Sequence, residues 1–307
     1  MSATTLERGP GWTQRPGARV FSGHESFVCR YGWLPKLHEA VSRDPAVFAS
    51  DERAILALGL GRNMVKSIRF WADAFGLIEQ SRTETWPTPF AQRLLDRDGG
   101  ADPFLERPGS LWRLHWTITT HGGLGAWAAT FLDLHDSEIT RDRLVAAVAR
   151  RAEAVRGPIT AQTASTHVDM LIRTYAQNGE VDPGSEDLVG SPFQELRLLR
   201  VIEPAGIRTV RLLRGPKLSL DVGAFSFALH DFWSGTAPAS RTLSMRAMML
   251  SHAAPGPTLL LDETGLHERL DALCTRAHRL TLRPDGAGGI DLTSPGDPLA
   301  ELLDLAW

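Results

Sequence analysis

The most informative pattern of apolar and polar positions in this chain lies between Leu58 and Ile78. Arg62, Lys66 and Arg69 follow a helical spacing on one side of this segment. Apolar residues follow the same i, i+4, i+7 spacing about 180° away, because successive helical residues are about 100° apart. They are Met64, Ile68, Trp71, Phe75 and Ile78. The pattern predicts a helix that packs on one side and presents three cations on the other.

The segments around this helix predict a helix-turn-helix. A shorter amphipathic stretch, Asp51 to Leu60, precedes it and joins it through Gly59 to Gly61. Two short helices with a glycine-containing turn, the second carrying cations, form that layout. Two extended segments, Leu77 to Glu79 and Thr83 to Pro87, predict a small wing. We interpret residues 19–100 as a winged helix-turn-helix that binds DNA, although an ordinary solvated helix face carries the same charge pattern.

Residues 101–307 predict a helical domain that contains a second, winged-helix-like region and a small β tail, a pair of strands around Pro284 to Gly286. A helix capped by Thr160, Ala161 to Gln177, is followed by two strands, Leu199 to Ile202 and Ile207 to Leu213. Four arginines lie on or beside this hairpin, where they suit a phosphate backbone but equally keep an edge strand soluble. They are Arg200, Arg208, Arg211 and Arg214. The predicted fold is mainly α with small β wings: an N-terminal winged helix-turn-helix plus a C-terminal winged-helix-like domain.

Composition restricts where such a site can be. The 307 residues carry a net charge of −3, so a nucleic-acid site must be a local patch. The two cysteines, Cys29 and Cys274, are far apart, which favours a reducing cytoplasm and argues against a thiolate zinc site. No apolar run reaches the roughly 20 residues that a bilayer requires, so we expect no membrane association. Residues 1–18 are rich in Gly, Pro and Thr and predict a disordered leader.

Four runs near the N-terminus resemble a known family. Residues 21–27 read FSGHESF, 30–36 read RYGWLPK, 58–71 read LGLGRNMVKSIRFW and 74–79 read AFGLIE. They are similar to FSGHETF, RYGWLKK, LGVGKNMVRSIRYW and AFGLIE in the bacterial family called domain of unknown function number four thousand and seven. The departures include Ser26 for Thr, Pro35 for Lys and Arg62 for Lys, and, between the first two runs, Cys29 for an apolar residue. Of these, only Pro35 can alter the backbone.

The resemblance implies a function that periodicity and spacing do not. Family members accompany DNA sulfur-modification genes, and the best-described role is the nicking component of a single-strand phosphorothioation defence system. The chain is then expected to be a nicking endonuclease, a hydrolase that opens one strand so that sulfur can enter the backbone. The implied partners are DNA, a cysteine desulfurase, an ATPase and a sulfur-transfer protein, and a homodimer is left open. The rival interpretations are a non-catalytic DNA-binding adaptor and a transcriptional regulator.

Candidate site residues follow from the chemistry of nicking. The reaction needs an activated nucleophile, charge stabilisation at phosphorus and usually a metal, so Mg²⁺ or Mn²⁺ is the expected cofactor. The candidate catalytic residues are His24, Glu25, Arg30, Tyr31 and Lys36. The candidate DNA contacts are Arg62, Asn63, Lys66, Ser67, Arg69 and Arg208. The alternative for His24 and Glu25 is structural: hydrogen bonds and a salt bridge to Arg30 that tie the arm to the helices.

A second candidate for a metal is the acidic cluster of Asp133, His135, Asp136 and Glu138. Carboxylates and an imidazole in one loop can hold a divalent ion. Acidic residues at the start of a helix give the same pattern, because the helix macrodipole favours them there.

Overall fold

The computed structural model describes residues 20–176 and 190–307, so the predicted leader at residues 1–18 lies outside the described residues. The fold is mainly α with small antiparallel sheets, as the sequence predicts. The helices are α1 (Trp33–Arg43), α2 (Asp51–Leu58), α3 (Arg62–Ala74), α4 (Pro89–Leu95), α5 (Pro108–Thr120), α6 (Gly125–Ala128), α7 (Arg141–Val155), α8 (Ala161–Tyr175), α9 (Val222–Thr236), α10 (Met245–Leu250), α11 (Pro255–Thr258), α12 (Glu263–Arg276) and α13 (Pro298–Leu305). The strands are β1 (Ile78–Gln80), β2 (Thr85–Pro87), β3 (Glu138–Thr140), β4 (Leu199–Ile202), β5 (Thr209–Leu212), β6 (Thr242–Ser244), β7 (Thr281–Pro284) and β8 (Ile290–Thr293).

The described chain divides into two compact units. One contains the residues up to Thr130 together with those described in Asp136–Leu213. The other contains Phe131–His135 and Arg214–Trp307. The main division therefore follows Leu213, whereas the sequence interpretation separated the chain at residue 100. Among the residues described, no helix has the length and apolar character that crossing a membrane requires.

Local sequence explains how α2 and α3 form. The Ser50 side chain accepts a hydrogen bond from the Arg53 backbone N–H and so caps the start of α2. Gly59 ends that helix at a φ of 60°, a left-handed conformation that glycine adopts without strain. The chain then re-enters a helix at Arg62. The predicted pair of helices with a glycine turn is thus present.

The sheets are short and antiparallel. β1 and β2 form a two-stranded hairpin, with Ile78 opposite Pro87. The second sheet has the order β3-β5-β4, and the third has the order β6-β8-β7. The three predicted hairpins are present: the β1-β2 pair, the β4-β5 pair and the pair in the tail. The sequence interpretation missed β3 and β6, which add a third strand to two of them.

Two helices support the second sheet. Thr160 caps α8 by accepting a hydrogen bond from the Thr163 N–H, as predicted. α8 ends at Tyr175, and the predicted end of this helix, Gln177, lies outside the described residues. Arg141 at the start of α7 holds Asp169 of α8 through two hydrogen bonds of 2.8 and 2.6 Å. This bidentate pair fixes one helix against the other.

Aromatic side chains fill the core of the larger unit. The rings of Trp71 of α3 and Trp127 of α6 pack against each other, with their centroids 5.8 Å apart. The indole of Trp127 donates to the hydroxyl of Tyr175, which is itself fully buried. Large rings of this kind supply much of a core's apolar contact area. They hold α3, α6 and α8 together, and this packing positions the N-terminal motif described next.

Candidate functional site

The cations of α3 lie on its outer side. Arg62 contacts Asp51 at 3.1 Å. Arg69 is half-buried: its Nε donates to Gln80 of β1 at 2.7 Å, and its guanidinium lies 5.0 Å from the centre of the Phe48 ring. Asn63 and Lys66 are exposed. In the part of the chain that the structure describes, no hydrogen bond or ion pair of the Lys66 side chain is found. The stripe therefore presents its charge mainly through Arg62 and Lys66.

Ser67 does not belong to this outer stripe. It is completely buried, and its hydroxyl donates to the carbonyl of Phe27 at 3.3 Å. The same carbonyl accepts from the indole of Trp71 at 2.9 Å. The expectation that Ser67 contacts DNA is therefore wrong, because this side chain is one of two on the inner side of α3 that hold the N-terminal arm.

That arm makes a tight turn at the Gly-His-Glu motif. Gly23, Glu25 and Ser26 have φ values of 115°, 47° and 63°. A Cβ on Gly23 would stand 3.0 Å from the ring of Phe70, so the close approach of the arm to α3 also requires glycine. The Ser26 N–H donates to Nδ1 of His24 at 3.2 Å. Because Nδ1 accepts this bond, the proton of the neutral ring resides on Nε2.

His24 lies below the surface and packs against a second histidine. His24 is only 4% exposed, and its ring is stacked on that of His167 of α8, with the two ring centroids 5.8 Å apart. Burial, with a smaller contribution from the charge of Arg173, lowers the pKa of His24 to about 4. Burial, reinforced by the neighbouring His24, lowers the pKa of His167 to about 3. Both rings are therefore neutral at pH 7.

The sequence interpretation did not pair these two histidines. His167 occupies the apolar side of α8, beside Ala164 and Val168. A histidine on an apolar helix face signals a buried ring, but no sequence pattern shows which ring it meets. The ring of Phe70 is nearly perpendicular to that of His24, with the two ring centroids 5.9 Å apart. The motif histidine is thus part of an aromatic cluster, which is how a structural histidine is placed.

The other candidate catalytic side chains are held separately. Glu25 is exposed, whereas His24 is buried. Arg30 lies beside the rings of Phe27 and Trp33, at 5.6 and 5.7 Å. Each of these contacts is a cation–π interaction.

Two further candidate catalytic residues, Tyr31 and Lys36, form hydrogen bonds with other parts of the same unit. The Tyr31 hydroxyl donates to Glu195, and burial together with this bond raises the pKa of Tyr31. The Lys36 ammonium donates to the carbonyl of Leu58, the last residue of α2, at 3.2 Å. These contacts do not direct Tyr31 or Lys36 to a common point with His24.

The acidic loop residues are engaged in ion pairs. Asp136 accepts two hydrogen bonds of 2.9 Å from Arg143, and Glu138 contacts Arg211 at 2.7 Å. Within residues 20–176 and 190–307, no group of three or more His, Cys, Asp or Glu side chains could hold a metal ion. The arginines therefore account for Asp136 and Glu138 without a metal.

The β4-β5 hairpin carries the remaining candidate DNA contact. Arg208 is exposed immediately before β5, and its carbonyl accepts from the Arg141 N–H at 2.9 Å. Arg200 of β4 lies opposite Arg211 of β5, which in turn lies opposite Glu138 of β3. The backbone of the hairpin is thus anchored at α7, and the Arg208 side chain extends from its end.

Two solved structures are similar to this chain over almost its whole length. A magnesium ion-bound SspB crystal structure is 29% identical, with a TM-score of 0.82, and the match covers 94% of this chain and 86% of that one. A second SspB crystal structure is 28% identical, with a TM-score of 0.80 and the same coverage. Among curated proteins, none matches the chain.

The family comparison agrees with the resemblance carried by the N-terminal motifs. The profile of the family described as "Protein of unknown function (DUF4007)" matches residues 21–304, which is nearly the full length. The match therefore extends far beyond the motifs at residues 21–79, and the chain belongs to the DUF4007 family.

Proposed function

We propose that this protein is a DNA-binding component of a bacterial phosphorothioate DNA-modification system. In this proposal it nicks one strand so that sulfur can be inserted in the backbone. The observation that carries the proposal is the likeness to SspB, at 29% identity over 94% of the chain. A likeness of this extent supports a shared role, whereas fold alone does not define function. A cysteine desulfurase, an ATPase and a sulfur-transfer protein are the partners that the family resemblance implies.

The proposed DNA surface is the outer side of α3. Two helices joined at Gly59, followed by the β1-β2 hairpin, support a winged helix-turn-helix with α3 as the recognition helix. Arg62, Lys66 and Arg69 would contact phosphates. Asn63 would reach a base edge, since amide side chains pair with adenine in the major groove.

A second winged-helix-like region supports the same proposal. The order β3, α7, α8, β4, β5, with β5 at the centre of its sheet, places two helices between the first strand and a terminal hairpin. The exposed Arg208 on this hairpin suits a contact with a second stretch of backbone.

A divalent ion, Mg²⁺ or Mn²⁺, is proposed as the cofactor on the likeness to the magnesium ion-bound SspB structure. The described side chains do not fit such an ion on their own, since they contain no cluster of three or more suitable ligands. No step of the reaction is therefore assigned to the metal. Glu25 is the motif residue best placed for a role in chemistry, because it is an exposed carboxylate on a strained turn.

Plasmid nicking tests this proposal. Supercoiled DNA incubated with the wild type and Mg²⁺ or Mn²⁺ should yield relaxed circles, and EDTA should prevent this. Glu25→Gln should lower the rate by roughly 100-fold or more, the effect of removing an acid–base group. The matched control is Glu52→Gln, another exposed carboxylate of the same unit, which should nick like the wild type. Equal nicking by both variants would exclude Glu25, and no nicking by any form would exclude the enzyme.

The second candidate is a non-catalytic adaptor that binds DNA and recruits the sulfur-transfer proteins. The specific observation in its favour is the position of His24, which packs against His167 and Phe70 instead of facing solvent. The adaptor predicts duplex binding with no strand cleavage under any metal condition. It would also predict that DNA binding survives Glu25→Gln unchanged.

A further inference from the structure

A groove on the outer side of α1 is not used by the proposed function. It has a volume of about 750 Å³ and lies among α1, β2, α4 and the segment around Phe104. Pockets of this size hold drug-sized ligands. Two of its lining residues are aromatic and exposed: Trp86 at 40% and Phe104 at 61%. Large exposed rings that share one concave surface indicate a binding site.

A buried polar group lies in the same groove. His38 lines it, yet this residue is only 7% exposed, and its Nδ1 has no hydrogen-bond partner among the described residues. Burial lowers the pKa of His38, opposed by the carboxylate of Asp96, so the ring is neutral at pH 7. A neutral imidazole offers one donor and one acceptor. A buried nitrogen without a partner is costly unless a ligand satisfies it.

The rim of the groove carries a net positive charge. Arg43 and Arg97 both contact Oε1 of Glu39, at 2.5 and 3.1 Å. Lys36 and Asp96 are the other charged lining residues, so three cations and two carboxylates leave one positive charge. The side chains of Arg43 and Arg97 are mostly exposed. Two guanidinium groups that share one carboxylate retain donors for an anion.

We propose that this groove binds an unpaired nucleotide of single-stranded DNA. The base would stack on Trp86 and Phe104, the His38 nitrogen would hydrogen-bond its edge, and the phosphate would replace Glu39 as a partner of Arg43 and Arg97. Aromatic stacking with an adjacent cation is how proteins hold single strands irrespective of sequence. The proposal rests on the proposed function, in which a nick releases a strand end that must be held.

Binding of labelled oligonucleotides tests the groove. Trp86→Ala with Phe104→Ala should lower affinity for a short oligothymidylate roughly tenfold, the effect of removing a stacking platform. Affinity for a duplex should not change, because the groove is not part of the α3 surface. The matched control is Leu56→Ala, which removes an apolar side chain 83% exposed on α2, outside the groove. It should bind both DNA forms like the wild type.

An abasic strand separates base stacking from phosphate binding. It keeps every phosphate, so the proposal predicts that the wild type binds it about as weakly as the double variant binds oligothymidylate. Equal affinity of the wild type for abasic and normal strands would overturn the proposal, and so would an unchanged affinity in the double variant. Weaker single-strand binding by the double variant supports the groove proposal whether or not the protein nicks DNA. If the groove variants bind single strands like the wild type but the protein binds and nicks duplex DNA, only the groove proposal fails. If the wild type binds no DNA of either form, both proposals fail.

Discussion

The stacked rings of His24 and His167 couple the N-terminal arm to α8, and this contact depends on both rings being uncharged. Each folded-state pKa is below the usual 6.5, at about 4 and about 3. The unfolded chain therefore binds protons more tightly than the folded chain. Stability from the pair is fully present above pH 6.5 and is lost as the pH falls toward the two folded pKa values.

Replacing one ring should flatten this pH dependence. His167→Phe keeps an aromatic ring beside Phe21 and Trp127 but removes one titrating group. Below pH 6.5 the free energy of unfolding of the wild type should fall about 1.4 kcal/mol per pH unit more steeply than that of the variant. Urea denaturation across a pH series measures both. The control is His252→Phe, at an exposed position. Parallel curves for wild type and His167→Phe would show that the pair does not titrate on unfolding.

At the scale of single residues, the sequence predicts the positions of the charged side chains of α3 but not that of a small polar one. The spacing of Arg62, Lys66 and Arg69 placed them on the outer side of α3, since long charged side chains avoid burial. The same spacing argument expects Ser67 on this surface, but Ser67 directly precedes the buried Ile68 and is itself buried. A serine can be buried wherever a carbonyl accepts its hydroxyl, and the carbonyl of Phe27 could not be known from sequence.

At the level of secondary-structure elements, the N-terminal arm packs against the start of α6 at Gly125, a position that has no room for a side chain. Val20 pairs with the segment before α6: its N–H donates to Gly123, and its carbonyl accepts from Gly125. A Cβ on Gly125 would stand 2.0 Å from the ring of Phe21, which is itself buried. The arm and α6 therefore pack only because residue 125 is glycine.

Gly125→Ala should destabilise the larger unit by about 1–3 kcal/mol, the usual cost of overpacking a core. Thermal denaturation followed by tryptophan fluorescence measures it, since Trp127 lies two residues away. Gly61→Ala is the matched control, because a Cβ there meets nothing within 4 Å. It should unfold close to the wild type. Two equal melting temperatures would show that the arm moves aside without cost.

The hairpins were predictable because their signals are local. Each has its turn residues within a few positions of both strands, as at Pro284 to Gly286. β3 and β6 were not predictable: each is three residues long, and β3 pairs with β5 across some 70 positions of sequence. So short a segment acquires its conformation from its partner strand, not from its own composition.

For the whole molecule, the proposed DNA binding has to operate against a net charge of −3. Such binding requires a local cationic surface rather than a general attraction. Arg62 and Lys66 on α3 and Arg208 on the second hairpin are exposed cations that fit this requirement. The partners of the candidate catalytic side chains could not be predicted, because they come from distant segments of the chain, as Glu195 does for Tyr31.

Duplex binding across a salt series tests whether these exposed cations bind DNA. Lys66→Glu with Arg208→Glu reverses two exposed cations, and Arg150→Glu with Arg246→Glu, at exposed positions of α7 and α10, is the charge-matched control. Each phosphate contact adds about 0.9 to the slope of log affinity against log salt, so the double variant should bind more weakly with a slope reduced by about 2. The control should match the wild type. The same affinity and slope in all three proteins would contradict DNA binding through these surfaces.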